Sequence, residues 1–232
     1  PRLDLVLVHG ARSRSVFEAT WPPSRLVQIP FGNERLFDNP PGTASEERIL
    51  FFGDWRKVKG LGVLMEAFDE LATRRPTARL TIAGTPSDAD YNSAVVRDWA
   101  RRHGDRVEVI DRYVPLEEVP DVFGRARVVA NPYLVGFQSA VVHLAMSMGR
   151  AVVASDVGDL PDAVLHGQTG RVVPPGDASA LANALEYVIA DPDVAASYGR
   201  AGREHAERHG RWEDVADAVV DAMREARRRD GF

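Results

Sequence analysis

Short apolar runs alternate with longer segments of helical periodicity through most of the sequence, and that alternation allows few folds. A short apolar run bounded by turn residues fills a strand buried on both faces, and the helical segment after it supplies the crossover that a parallel neighbour requires. Strands are expected at Arg48 to Phe52, Arg79 to Ala83, Val107 to Ile110, Arg127 to Ala130, Ala151 to Ala154 and Arg171 to Val173. The helices between them are expected at Val63 to Arg75, about Ala89 to His103, Leu116 to Arg125, Gln138 to Met148 and Ala178 to Ala190. In the first helix Val63, Leu64, Ala67, Phe68 and Leu71 share one face, and Pro76 helps to end it. Gly104 suits a left-handed stop after the second, and Asp177 can cap the free N–H groups of the last. The fold class is α/β, a doubly wound, Rossmann-like parallel sheet.

Both flanks fall outside this alternation. Residues 1–32 predict a strand from Asp4 to His9, a helix around Ser15 to Thr20 and a strand from Arg25 to Ile29. A linker over 33–45 includes Asn39-Pro40-Pro41-Gly42, the alternating unit occupies 46–192, and 193–232 hold helices from Asp193 to about Arg208 and from Trp212 to Arg229. The cations Arg227, Arg228 and Arg229 suit a helix C-terminus. The chain enters Leu3 to Val8 almost at once and without a signal-peptide pattern, so it is expected to be a fragment of a longer protein.

Composition narrows the function. A net charge of -5 offers no general attraction to nucleic acid or an anionic membrane. With no cysteine there is no disulfide, thiolate metal site or cysteine nucleophile, and the cytoplasm is the expected compartment. Apolar runs such as Ala151-Val152-Val153-Ala154 fall far short of the ~18 residues that span a bilayer. No Glu-x-x-His pair, His-x-His cluster or acidic pair has metal-site spacing, so a metal-free protein is expected.

In a doubly wound sheet, ligands gather at the carboxyl ends of the strands, where helix N-termini aim their free N–H groups. The first such loop, Gly53-Asp54-Trp55-Arg56-Lys57-Val58-Lys59-Gly60-Leu61-Gly62, is punctuated by glycine and carries three cations ahead of a helix. It lacks the residues of a Walker A loop or a dinucleotide fingerprint, and it reads either as a phosphate cradle or as a solvated turn. The loop Asn131-Pro132-Tyr133-Leu134-Val135-Gly136-Phe137 leads into Gln138-Ser139, which open a largely apolar helix. The N–H groups near Ser139 and Ala140 and the Ser139 hydroxyl could bind a diphosphate; alternatively Ser139 only caps the helix. His143, among Val141, Val142, Leu144 and Ala145, reads as a core or edge histidine.

In order, these motifs resemble the C-terminal half of the family 4 glycosyltransferases, retaining enzymes of GT-B fold. The resemblance lies in Phe51-Phe52-Gly53 with Lys59-Gly60, in Leu80-Thr81-Ile82-Ala83-Gly84, in Ala151 to Asp162 and in Gly170 to Asp177. Gln28-Ile29-Pro30-Phe31-Gly32 resembles the segment joining two Rossmann domains, and Trp212 opens what looks like the terminal helix that returns to the first. The resemblance implies a donor-binding half, with residues 1–32 a remnant of the acceptor-binding domain. It implies diphosphate contacts from Gly53, Arg56, Lys59, Gln138, Ser139 and Ala140, and nucleoside contacts from Arg112, Tyr113, Asn131 and Leu144. No separate cofactor is implied, since the UDP- or GDP-linked sugar is itself the substrate.

The chain departs from the family pattern in two places. Asp54 stands where the family usually has Arg, and its charge would repel a diphosphate unless Arg56 or Lys57 takes over. The two glutamates of an E-x7-E motif fall at Gly136 and Leu144, or at Val135 and His143, and neither pairing keeps a carboxylate. Some members resemble this chain in having Gln-Ser followed by small and apolar residues at that helix start. Three readings follow: the donor half of a glycosyltransferase, inactive alone and self-associating through its former interdomain surface; a non-catalytic GT-B module for interaction or regulation; and, less well supported by acid–base groups, a sugar-nucleotide epimerase.

Overall fold

In the computed structural model, which describes residues 5–22, 25–32, 44 and 46–229, the strands fall into two sheets. β1 (Val6–Val8) and β2 (Leu26–Gln28) pair in parallel and are joined by α1 (Ala11–Glu18). The larger sheet contains β3 (Arg48–Phe52), β4 (Arg79–Ala83), β5 (Val107–Ile110), β6 (Val128–Asn131), β7 (Ala151–Ser155) and β8 (Gly170–Val173). All its pairings are parallel, in the order β5-β4-β3-β6-β7-β8, so the doubly wound α/β class read from the sequence is the observed one. The expected linker, 33–45, lies outside the described residues except for Ala44.

Strand alternation divides the core between two faces. Ile49 and Phe51, Leu80 and Ile82, and Val128 and Ala130 point to one face, where α2 (Leu61–Arg74), α3 (Ser93–Arg101) and α7 (Ala178–Ala190) cover them. Leu50, Val129, Val152 and Ala154 point to the other, under α4 (Val119–Gly124), α5 (Ala140–Ser147) and α6 (Leu160–Ala163). Burial on both sides is why these strands read as unbroken apolar runs. α8 (Pro192–His209) reaches both faces, giving Ala195 and Tyr198 to the first and Ala206 to the second. α9 (Trp212–Arg229) begins against the N-terminal part, where a Cβ built on Gly32 would come within 2.5 Å of the Trp212 ring.

Several boundaries differ from expectation. α1 begins at Ala11 rather than near Ser15, because the carboxylate of Asp159, distant in sequence, meets its N-terminus. α3 begins at Ser93 rather than Ala89: the Asn92 side chain caps it by accepting from Val95 N–H, and Asp90 instead accepts from the backbone of Lys57. The expected helix from Leu116 to Arg125 is a 3-10 turn followed by α4, with Pro120 near the new start. The short α6 was not anticipated. Asp177 caps α7 through Ala180 N–H at 2.8 Å, as its position before the helix implies.

Strand order reverses at β3. The chain runs outward through β4 and β5 and returns to the opposite side of β3 as β6. At such a switch point the two outgoing loops part and leave a crevice at the carboxyl edge. Here the loops remain in contact lower down. Leu134 N–H donates to Val58 carbonyl at 2.8 Å, and Gly60, at φ +72°, lies so close to Pro132 that a Cβ would come within 1.8 Å of its carbonyl oxygen. Gly60→Ala should therefore cost at least about 2 kcal/mol through left-handed strain and overlap, lowering the urea midpoint at unchanged m-value.

Candidate functional site

The crevice between these loops gathers one cation, two hydroxyls and an amide. Lys59 Nζ donates to Tyr133 Oη at 2.8 Å and lies 4.0 Å from the centre of the same ring. Tyr133 Oη is 3.1 Å from Ser139 Oγ, which also accepts from Asn131 Nδ2 at 3.1 Å. Tyr133, Asn131 and Ser139 are buried and Lys59 is half-buried, so the ammonium sits at the mouth of a polar pocket. Asn131 Oδ1 is buried without a partner, an acceptor left for a ligand hydroxyl or for water.

Ser139 precedes α5, but its hydroxyl does not cap the helix, which corrects the alternative reading of its role. With its side chain turned to Asn131 and Tyr133, the N–H groups of Ala140 and Val141 carry neither an intrahelical bond nor a side-chain cap. A helix start of this kind favours an anion. Gly53 closes the other side, at φ +124°, where a Cβ would stand 4.0 Å from Val141 Cγ2 of α5.

The remaining cations of the first loop do not turn into the crevice. Arg56 is exposed and paired with Asp54, so the carboxylate that departs from the family pattern is neutralised by its neighbour and does not face Lys59 alone. Lys57 is also exposed. Gln138 donates to the Asp159 carbonyl at 3.4 Å, and its Oε1 lies 3.3 Å from His143 Nε2. His143 stacks on Phe31, with ring centres 4.4 Å apart, and burial with the nearby His205 and His9 lowers its pKa to about 4. It is a neutral packing residue near pH 7, in keeping with the core or edge reading.

The four residues expected at the nucleoside do not sit together. Asn131 and Leu144 belong to β6 and α5 beside Ser139. Arg112 and Tyr113 follow β5, two strands from β3, roughly 10 Å across the sheet at ~4.8 Å per strand. Arg112 pairs with Glu118 at 2.6 Å and lines a groove of about 660 Å³ together with Ile110 and Asp121, while Tyr113 is 74% exposed. Among the described residues no cluster of three His, Asp or Glu side chains has the arrangement of a metal site, and no helix is long and apolar enough to cross a membrane.

The sequence reading passed over two residues. Tyr133 follows Asn131-Pro132 at the end of a strand, a place at the carboxyl edge where a polar aromatic can face the ligand crevice. Asp159 is fully buried and caps α1: its Oδ1 accepts from Arg12 N–H at 3.0 Å and Ser13 N–H at 3.1 Å, and its Oδ2 accepts from the Ser13 hydroxyl. Gly10 leaves room for it, since a Cβ there would overlap the carboxylate. Arg12 also pairs with Asp156 at 2.5 Å. No local pattern could reveal a cap supplied from so far along the chain.

The fold is that of the GT-B glycosyltransferases. Sucrose-phosphate synthase from Thermosynechococcus elongatus superimposes with a TM-score of 0.81 at 27% identity, over 97% of this chain and 58% of that one. Anabaena HepE in complex with UDP gives 0.81 at 21% identity, over 95% of this chain and 63% of that one. Residues 46–191 match the family described as Glycosyl transferases group 1, and the chain belongs to that family. Alpha-maltose-1-phosphate synthase from Mycolicibacterium smegmatis is 29% identical over 235 residues, covering 97% of this chain and 58% of the relative. The chain thus spans little more than half the length of such relatives.

Two measurements check this geometry. Replacing Asp159 with Ala uncaps α1, at about 0.5–2 kcal/mol, and should speed amide exchange across Ala11–Glu18 several-fold while β3 stays protected. His143 titrates lower folded than its usual 6.5, so its contribution to stability is complete above that value and is lost as pH falls from 6.5 through about 4. His143→Phe should reduce the loss of unfolding free energy between pH 7 and pH 4 by up to about 3 kcal/mol.

Proposed function

We propose that this chain is the donor-binding, C-terminal domain of a family 4 retaining glycosyltransferase that moves a sugar from a UDP- or GDP-linked donor to an acceptor held by a further domain. The observation that carries the reading is the meeting of Lys59 with the uncapped start of α5 in one crevice at the strand-order switch. As the bond from sugar to diphosphate breaks, negative charge grows on the departing phosphate. A fixed ammonium and oriented N–H groups stabilise that charge without a metal ion. In this reading Lys59 and the N–H groups following Ser139 hold the diphosphate, with Gly53 and Gln138 around it. Arg56 balances Asp54 rather than the ligand. Arg112 and Tyr113 lie on the nucleoside side of the same edge, with Asn131 and Leu144 behind the phosphates. The transfer takes place in the cytoplasm, and the chain alone is inactive because acceptor positioning needs the surface of the further domain. Exposed Leu7, Trp212 and Met223 support self-association through that surface.

One observation favours a second reading, a GT-B module without catalysis: neither Gly136 with Leu144 nor Val135 with His143 offers a carboxylate to donor hydroxyls. Calorimetry with UDP and GDP separates the two. Saturable binding at millimolar affinity or tighter, weakened at least tenfold by Lys59→Ala, is expected of the donor domain. A folded chain that binds neither nucleotide belongs to the module.

A further inference from the structure

We propose that Tyr133 is a positioning residue of this crevice, whose hydroxyl fixes the Lys59 ammonium and orders the protons so that Ser139 must donate to a bound diphosphate. The inference rests on the donor-site reading above and adds to it a directed relay.

The direction follows from which groups can give a hydrogen and which can only receive one. An ammonium only donates, so at 2.8 Å the Lys59 N–H points to the Tyr133 oxygen. Either hydroxyl can donate across the 3.1 Å between Tyr133 Oη and Ser139 Oγ, and we assign the phenol proton to Ser139, so that the tyrosine oxygen, already accepting from the ammonium, is not asked to accept twice. Asn131 Nδ2 donates to that same Oγ, also at 3.1 Å. Both lone pairs of the serine oxygen are now filled, and its own proton remains to be given. It does not go to the α5 backbone, since a hydroxyl cannot donate to N–H groups and the side chain makes no cap. Lys59, the Ser139 hydroxyl and the N–H groups of Ala140 and Val141 therefore form one set made up solely of donors, which suits a phosphate and excludes a cation.

Tyr133 is well placed to hold this set still. Tyr133 is 4% exposed, and both of its chain neighbours are tied to the Lys59 loop, Pro132 through its contact with Gly60 and Leu134 through Val58. The phenol is thus anchored on the same two segments whose groups it joins. A lysine side chain free to sample its rotamers loses that freedom on binding; one already held has given it up beforehand. Tyr133 and Asn131 need not touch the ligand, and their effect passes through Lys59 and Ser139.

Tyr133→Phe keeps the ring and its contact with Lys59 and deletes only the hydroxyl. Inorganic pyrophosphate and UDP or GDP, titrated calorimetrically into the wild-type chain, Tyr133→Phe, Lys59→Ala and the double variant, read the effect. The expected result is about tenfold weaker binding of both pyrophosphate and nucleotide by Tyr133→Phe, with a melting temperature close to wild type. The double variant should lose less than the product of the two single losses, because part of the hydroxyl's effect passes through the lysine. If Tyr133→Phe binds like wild type while Lys59→Ala loses affinity, the relay is wrong and the donor-site reading stands. Two independent losses that simply add, or a fall in affinity that follows a collapse in melting temperature, give Tyr133 a structural role only and overturn the proposal. A folded wild-type chain that binds neither nucleotide nor pyrophosphate sinks both.

Discussion

The reversal of strand order between β3 and β6 is the constraint on which the rest depends. Helices packed on both faces of a parallel sheet leave loops free to converge only at its carboxyl edge, and only at the reversal do adjacent loops turn away from each other. In this chain the crevice formed there is floored by the Leu134–Val58 hydrogen bond and by the close approach of Gly60 to Pro132. Those two contacts set the separation of Lys59 from the start of α5. A group on either loop would otherwise be one more solvated side chain.

Charge at this edge is arranged by pairing rather than by number. Three cations occupy one short loop, yet Arg56 is paired with Asp54 and Lys57 stands in solvent, so Lys59 alone turns inward. A compact ammonium on a flexible stem needs something to hold it, and the Tyr133 hydroxyl together with the ring below does so. Asp54 looks disruptive in the sequence. In the fold it is half of an ion pair.

Asp159 performs a different task with the same physics. A fully buried carboxylate is stable only when its oxygens are met by donors, and α1 brings two N–H groups and a hydroxyl to meet them. The residue also links α1 to one side of the site: its own N–H donates to Phe137 carbonyl at 2.7 Å and its carbonyl accepts from Gln138. The N-terminal βαβ unit is thereby tied to the segment that opens α5. The stacked rings of Phe31 and His143 make a second tie between the same parts.

The periodic part of this protein was legible from its residues alone. Alternating apolar runs specified the β3–β8 strands to within a residue, and local signals such as Asp177 ahead of α7 worked because a cap and its N–H lie three residues apart. The glycine-rich loop and the Gln138-Ser139 start were legible for the same reason, as was the order of motifs that pointed to the family. Which cation turns inward, that Ser139 serves Asn131 and Tyr133 instead of its helix, and that α1 begins where Asp159 meets it emerge only once the chain is packed. Each of these is a pairing between groups far apart in sequence or on different loops, and local propensity carries no information about which distant partner a polar atom will find once the sheet has brought the loops together.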